Sequence, residues 1–133
     1  MKNRILSGIV AIALGVAVAW GPQLAFKVCQ PIEERFMTCH WTAQAEIGVG
    51  MFIVLLGFFL LCCANQSVRL GVSLGILGAG VLVLLFPHVL IGGCLMEAMP
   101  CRVVAFPALS VLGVLTVTGS VANLYYLSRQ RGR

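Results

Sequence analysis

Four uninterrupted apolar runs dominate the chain, at about residues 5–26, 45–64, 68–92 and 103–128. Polar residues do not alternate with apolar ones inside these runs. They gather instead in the short stretches between runs and at the two ends. A bilayer core of about 30 Å is crossed by about 20 helical residues, a length that every run reaches. Lipid offers the backbone no hydrogen bonds, so the runs predict helices, and a β-barrel would need the apolar/polar alternation that is missing. The expected fold is all-α: one polytopic membrane domain over residues 1–133 with four transmembrane helices. A polar link of about four residues, 65–68, makes the second and third spans antiparallel neighbours. Two longer loops, 27–44 and 93–102, complete the connections.

Composition supports this picture. The 133 residues are 60% hydrophobic and 10% charged, against about 25% charged in soluble domains. The net charge of +5 is distributed by side. Lys2, Arg4, Arg69, Arg129, Arg131 and Arg133 flank the ends away from the two longer loops. Lys27, Arg35 and Arg102 lie on the loop side, with all four acids, Glu33, Glu34, Glu46 and Glu97. By the positive-inside rule both termini are expected in the cytoplasm and both loops outside. The positive charge is thus a topology signal, and nucleic acid is not an expected partner, since no basic face of a folded domain carries it. Met1–Arg4, the following apolar run and Ala17-Val18-Ala19 imitate a cleavable signal peptide. The run continues past Ala19 to Phe26, however, so a retained span is expected.

The loops carry paired cysteines, Cys29 with Cys39 and Cys94 with Cys101. Each loop closes on Met-x-Cys followed by a base, His40 or Arg102. Laying Cys39 on Cys101 brings Met37 onto Met99 and the second span onto the fourth. The chain therefore reads as two duplicated hairpins, a parallel repeat about an axis along the membrane normal. Small residues recur every four positions at Ser7, Ala11, Gly15 and Ala19, and again at Gly71, Gly75 and Ala79. Such stripes let helix backbones approach closely. Packing within the bundle is the expectation, and a partner's helix is the alternative.

In an oxidising compartment the four loop cysteines are expected to pair. Three connectivities exist, and the repeat favours Cys29–Cys39 and Cys94–Cys101, each stabilising by about 2–3 kcal/mol. A second reading is thiol–disulfide exchange, with His40 and Arg102 favouring a thiolate beside them. Four spans with cysteine pairs in two outer loops resemble the quinone-linked disulfide-generating membrane proteins of bacteria, although neither pair has Cys-x-x-Cys spacing. A third reading is a soft-metal site for copper from Met37, Cys39, His40, Cys94, Met96, Met99 and Cys101. It needs reduced cysteines and competes with the disulfides, so no metal or cofactor is assigned. Cys62 and Cys63 are read as small apolar residues without a pairing role.

Three polar residues stand inside or near the spans. Glu46 opens the second, where the helix dipole favours a carboxylate, and reads as a capping acid at the interface. His88 follows Pro87 near the outer end of the third span, and an ion or proton role would require it to meet Glu46. Asn123 reads as a helix–helix hydrogen bond. Pro22, Pro87 and Pro107 mark span ends, and Trp20, Trp41, Tyr125 and Tyr126 form an aromatic belt. The sequence contains no nucleotide loop and no Ser-His-Asp set, and an enzyme is not expected.

At Met37-Thr38-Cys39-His40-Trp41-Thr42-Ala43-Gln44-Ala45-Glu46, at Leu90-Ile91-Gly92-Gly93-Cys94 and at Met99-Pro100-Cys101-Arg102 the chain resembles a family of small bacterial four-span membrane proteins catalogued as a domain of unknown function. The likeness covers nearly the whole chain, and Met-x-Cys-His-Trp is its most specific part. The family is associated with ABC transporters of the lipoprotein-release and macrolide-export type. The resemblance implies an accessory subunit in the bacterial cytoplasmic membrane that docks on such a permease. The stapled loops would then present Glu33, Glu34, Arg35, Phe36, His40, Trp41, Glu97 and Arg102 to the partner.

Overall fold

A computed structural model describes residues 2–24, 38–90, 103, 104 and 106–133. Four long helices follow one another: α1 (Lys2–Leu24), α2 (Thr38–Cys62), α3 (Gln66–Leu85) and α4 (Phe106–Arg131). All four are long and apolar enough to cross a membrane, so the termini lie on one side of it and the α1–α2 and α3–α4 connections on the other. About a third or less of each span is buried within the chain.

Local chemistry sets the helix ends. Asn65 caps α3, its Oδ1 accepting the Ser67 N–H at 3.1 Å. This shortens the expected 65–68 link, and α3 starts at Gln66. At the other end α3 widens into a π-helical turn, Phe86–Leu90. Pro87 has no N–H to give the Val83 carbonyl, which removes one rung of the ladder and accounts for the loosened turn. Pro107 sits in the first turn of α4, where no N–H is needed. One expected boundary is corrected. Residues 38–44 were expected in a loop, but α2 begins at Thr38. No proline or glycine interrupts the stretch from Thr38 to Ile47, so the polar residues continue the helix beyond its apolar run.

The closest packing occurs within each hairpin and is mediated by glycine. A Cβ placed on Gly50 would lie 2.5 Å from the Ala19 backbone nitrogen and 2.8 Å from its Cα. One placed on Gly15 would lie 2.8 Å from the Val54 nitrogen and 2.9 Å from the Gly50 oxygen. Backbone thus meets backbone where α1 crosses α2. In the second hairpin a Cβ on Gly113 would lie 2.7 Å from Leu84 Cγ and 3.4 Å from the Gly80 oxygen. The hairpins meet along a core of Ala11, Val18, Ile53, Leu60, Ile76, Ala79 and Val83.

Burial reveals the internal repeat and corrects its register. Gly8, Ala11, Gly15 and Val18 on α1 are buried, and so are Ser73, Ile76, Gly80 and Val83 on α3, all 65 positions later (15 to 80). Glu46, Gly50, Ile53 and Gly57 on α2 correspond in the same way to Leu109, Gly113, Thr116 and Ser120 on α4, 63 positions later (50 to 113). The overlay of Cys39 on Cys101, a shift of 62, would set Gly50 on the half-buried Leu112. It misses because Cys39 lies in the first turn of α2, whereas α4 starts only at Phe106, beyond Cys101.

The second small-residue stripe also changes. Ala79 is buried and Gly75 lies 3.2 Å (from its would-be Cβ) from Leu56, but Gly71 meets nothing within 4 Å.

Two valine substitutions separate crossing from surface. Gly50→Val is expected to destabilise the detergent-solubilised protein by about 1–3 kcal/mol, because the overpacked atoms are backbone. Gly48→Val, two residues away with nothing within 4 Å, should stay within about 0.5 kcal/mol of the parent. Thermal or denaturant unfolding followed by circular dichroism reads both.

Candidate functional site

One face of α2 carries Thr42, Glu46, Gly50, Ile53, Gly57 and Leu60, all buried. Glu46 therefore occupies a packing position and not a cap, which corrects its reading as a capping acid. It is the ninth residue of α2, more than two turns inside the helix. Its side chain is 0% exposed, and neither carboxylate oxygen has a hydrogen-bond partner.

The helix register locates it. Gly50 rests on Ala19 of α1, so Glu46, one turn further on, stands beside the end of α1. Leu56 packs on Gly75 of α3. Counting ten residues back along α2 and ten forward along α3 puts Glu46 level with Leu85, between the buried Val83 and Pro87. It is the sole acid among the described residues. A carboxyl in such a place can exchange a proton or hold a cation, because an isolated charge there is costly.

The structure does not join Glu46 to His88. The His88 ring is exposed, its Nδ1–H donates to the Leu84 oxygen at 3.0 Å, and its centroid lies 6.1 Å from that of Phe106. Asn123 bridges three helices: its Nδ2 donates to Ser73 Oγ at 2.7 Å, and its Oδ1 accepts from Asn3 Nδ2 at 3.3 Å. Beside this chain lies a cleft of about 50 Å³ bordered by Ser7, Leu60, Ser73, Thr116, Ser120 and Asn123. Thr116 is satisfied within its own helix, donating to the Leu112 oxygen at 2.8 Å. A cleft of this size accommodates water and nothing larger.

The other sequence-predicted positions separate clearly. Trp41 is 60% exposed, as is Trp20, and Tyr125 and Tyr126 are exposed at the opposite end. Cys62 and Cys63 are free. Cys29, Glu33, Glu34, Arg35, Phe36, Cys94, Glu97, Cys101 and Arg102 lie outside the described residues, as do the side chains of Cys39 and His40. The disulfide, thiol-exchange and copper readings all rest on these. Among the described residues no cluster of His, Cys, Asp and Glu could hold a metal.

Sequence reasoning missed Arg4 and Arg69. Read only as topology charges, they hold guanidinium nitrogens that are buried without partners: Nε of Arg4, and Nε and Nη2 of Arg69. The signal that would have found them is the 65-residue shift itself, which carries Arg4 onto Arg69 as it carries Gly15 onto Gly80.

A family model described as a domain of unknown function (DUF4418) matches residues 11–126. The chain belongs to this family. No curated protein and no solved structure matches it. The DUF4418 match takes in both glycine crossings, Glu46, Asn123 and Arg69, and starts after Arg4.

In the second hairpin Leu109 stands where Glu46 stands in the first, so leucine fits the position. Glu46→Leu is expected to raise stability by about 1–3 kcal/mol, by removing a buried carboxyl without a partner. A loss of stability on denaturant titration would instead mean that a donor or cation outside the described residues holds the carboxyl.

Proposed function

We propose that this DUF4418 protein is a non-enzymatic, multi-pass accessory subunit that docks sideways on a larger membrane complex. An ABC transporter of the lipoprotein-release or macrolide-export type is the partner class that the family resemblance suggests. In this reading the protein sits in the bacterial cytoplasmic membrane with its termini inside. Its disulfide-stapled loops face outward with Glu33, Glu34, Arg35, Phe36, Trp41 and Glu97 toward the partner.

The observation that carries the reading is the free face of α3. Gly71, Leu74 and Gly78 are exposed along it, and a Cβ at either glycine would meet nothing within 4 Å. A glycine inside a helix costs about 0.5–1 kcal/mol relative to alanine. At Gly8, Gly15, Gly50, Gly57, Gly80 and Gly113 close contacts within the chain offset that cost. At Gly71 and Gly78 no contact within the chain does so; Gly48 on α2 and Gly119 on α4 are open as well, but each stands alone, whereas Gly71 and Gly78 lie two turns apart on one side of one helix. A flat strip of this kind lets another helix approach to backbone distance, which is the principal source of helix association in lipid.

Photo-crosslinking from position 74 in native membranes, with gentle solubilisation, tests the reading. The expected result is an adduct with a larger membrane protein and migration in a large assembly. Gly71→Leu together with Gly78→Leu should abolish both while leaving helicity and thermal stability unchanged. A strictly monomeric species, or adducts formed only between copies of this chain, would contradict the proposal.

A further inference from the structure

At the end of the bundle that carries the termini, we infer a binding site for the phosphate group of an anionic phospholipid, formed by Arg4 of α1 and Arg69 of α3 and flanked by Tyr126 of α4. The two arginines occupy equivalent places in the two hairpins. Each stands 11 residues before its crossing glycine, Gly15 or Gly80. Arg4 and Arg69 lie within each other's electrostatic reach, and the Tyr126 phenol lies within that of Arg69. Between them they bury three guanidinium nitrogens that have no acceptor. Two like charges within electrostatic reach, with buried nitrogens that lack an acceptor, destabilise the bundle unless an anion joins them.

Among the described residues no acidic side chain supplies such an anion there. Glu46, the acid among the described residues, is at the opposite end, roughly 20 Å away along the helices. The remaining three acids, Glu33, Glu34 and Glu97, fall in sequence between α1 and α2 or between α3 and α4. A phosphate matches the missing group, because its oxygens accept from the planar fork of a guanidinium in paired hydrogen bonds. Tyr126 is prepared to add one more. Its hydroxyl accepts from Gln130 Nε2 at 3.0 Å, which leaves its own proton to donate.

Three features favour a lipid headgroup over a phosphate from solution. Exposed tyrosines, Tyr125 and Tyr126, mark headgroup depth on α4. Ile5 and Val68, the immediate neighbours of Arg4 and Arg69, are exposed apolar residues suited to lying along acyl chains. A groove of about 370 Å³ lined by Tyr125, Tyr126, Arg129, Gln130 and Arg133 shares Tyr126 with the arginine pair. It offers further cations to a headgroup that carries negative charge.

Native mass spectrometry of the full chain in detergent, loaded equally with phosphatidylglycerol and phosphatidylcholine, tests the site. Phosphatidylglycerol adducts should predominate. Arg4→Gln and Arg69→Gln should each lower that preference about fivefold, the factor corresponding to ~1 kcal/mol per cation. Arg131→Gln, an exposed cation outside both groups, should lower it much less. If Arg69→Gln fails to fold by circular dichroism, Arg69→Lys, which keeps the charge and loses the fork, must still reduce the preference. Equal adducts with both lipids, or an equal effect of Arg131→Gln, would overturn the inference. So would inorganic phosphate binding the lipid-free protein as tightly as the headgroup does, since the ligand would then be a soluble anion.

Discussion

Helices in lipid gain nothing hydrophobic by touching each other, so a small membrane bundle coheres only where backbones come close enough for dispersion. In this chain that closeness is supplied at two crossings, Gly15 on Gly50 and Gly80 on Gly113. The rest of the structure is placed relative to them. Glu46 stands one turn from the first crossing, and Leu109 one turn from the second. Arg4 and Arg69 stand three turns away on the other side. Crossing glycines explain how a chain that buries a third or less of each span can still hold one register.

The two hairpins share a packing frame but divide the polar residues unequally. Gly8, Ile53, Gly57 and Leu60 in the first correspond to Ser73, Thr116, Ser120 and Asn123 in the second. The second hairpin therefore carries most of the seam's hydroxyls and its bridging amide, met by Ser7 and Asn3 of the first, which also carries the buried acid. The physical consequences differ. Thr116 donates to its own helix, and Asn123 is engaged by both Ser73 and Asn3, so these groups enter lipid satisfied. Glu46 is not satisfied in this way, and a fold tolerates such a residue only at a cost in stability.

Most of the architecture was legible in the sequence, because run length and hydropathy dictate helices in a bilayer directly. The antiparallel order and the outward-facing Trp20, Trp41, Tyr125 and Tyr126 follow from the same pattern. What escaped depends on facing, which apolar runs conceal: when nearly every residue is hydrophobic, periodicity no longer marks the buried side. Glu46 therefore reads as a cap, because the apolar run begins only at Ala45, whereas α2 starts at Thr38. Gly71 was grouped with Ala79 although they lie on different sides of α3. The arginines at the helix starts were explained by topology alone, because burial of a guanidinium cannot be read from its position near a span end. The repeat is visible in the cysteines: Cys29 and Cys94 share the 65-residue shift of α1 and α3, whereas Cys39 and Cys101, 62 apart, are one residue off the shift of α2 and α4.

Disulfide trapping of the two crossings measures the central claim, that both hairpins close at equivalent positions. In a chain with its native cysteines replaced by alanine, the pairs Gly8→Cys/Leu61→Cys and Leu84→Cys/Gly113→Cys each join a crossing glycine to the leucine it packs on, the first in the same antiparallel register as the Ala19–Gly50 contact. Both pairs should cross-link within one chain on mild oxidation in membranes, as read by mobility on non-reducing gels. Cross-linking in only one hairpin, or preferential cross-linking of Leu84→Cys to Leu112→Cys, would contradict the account.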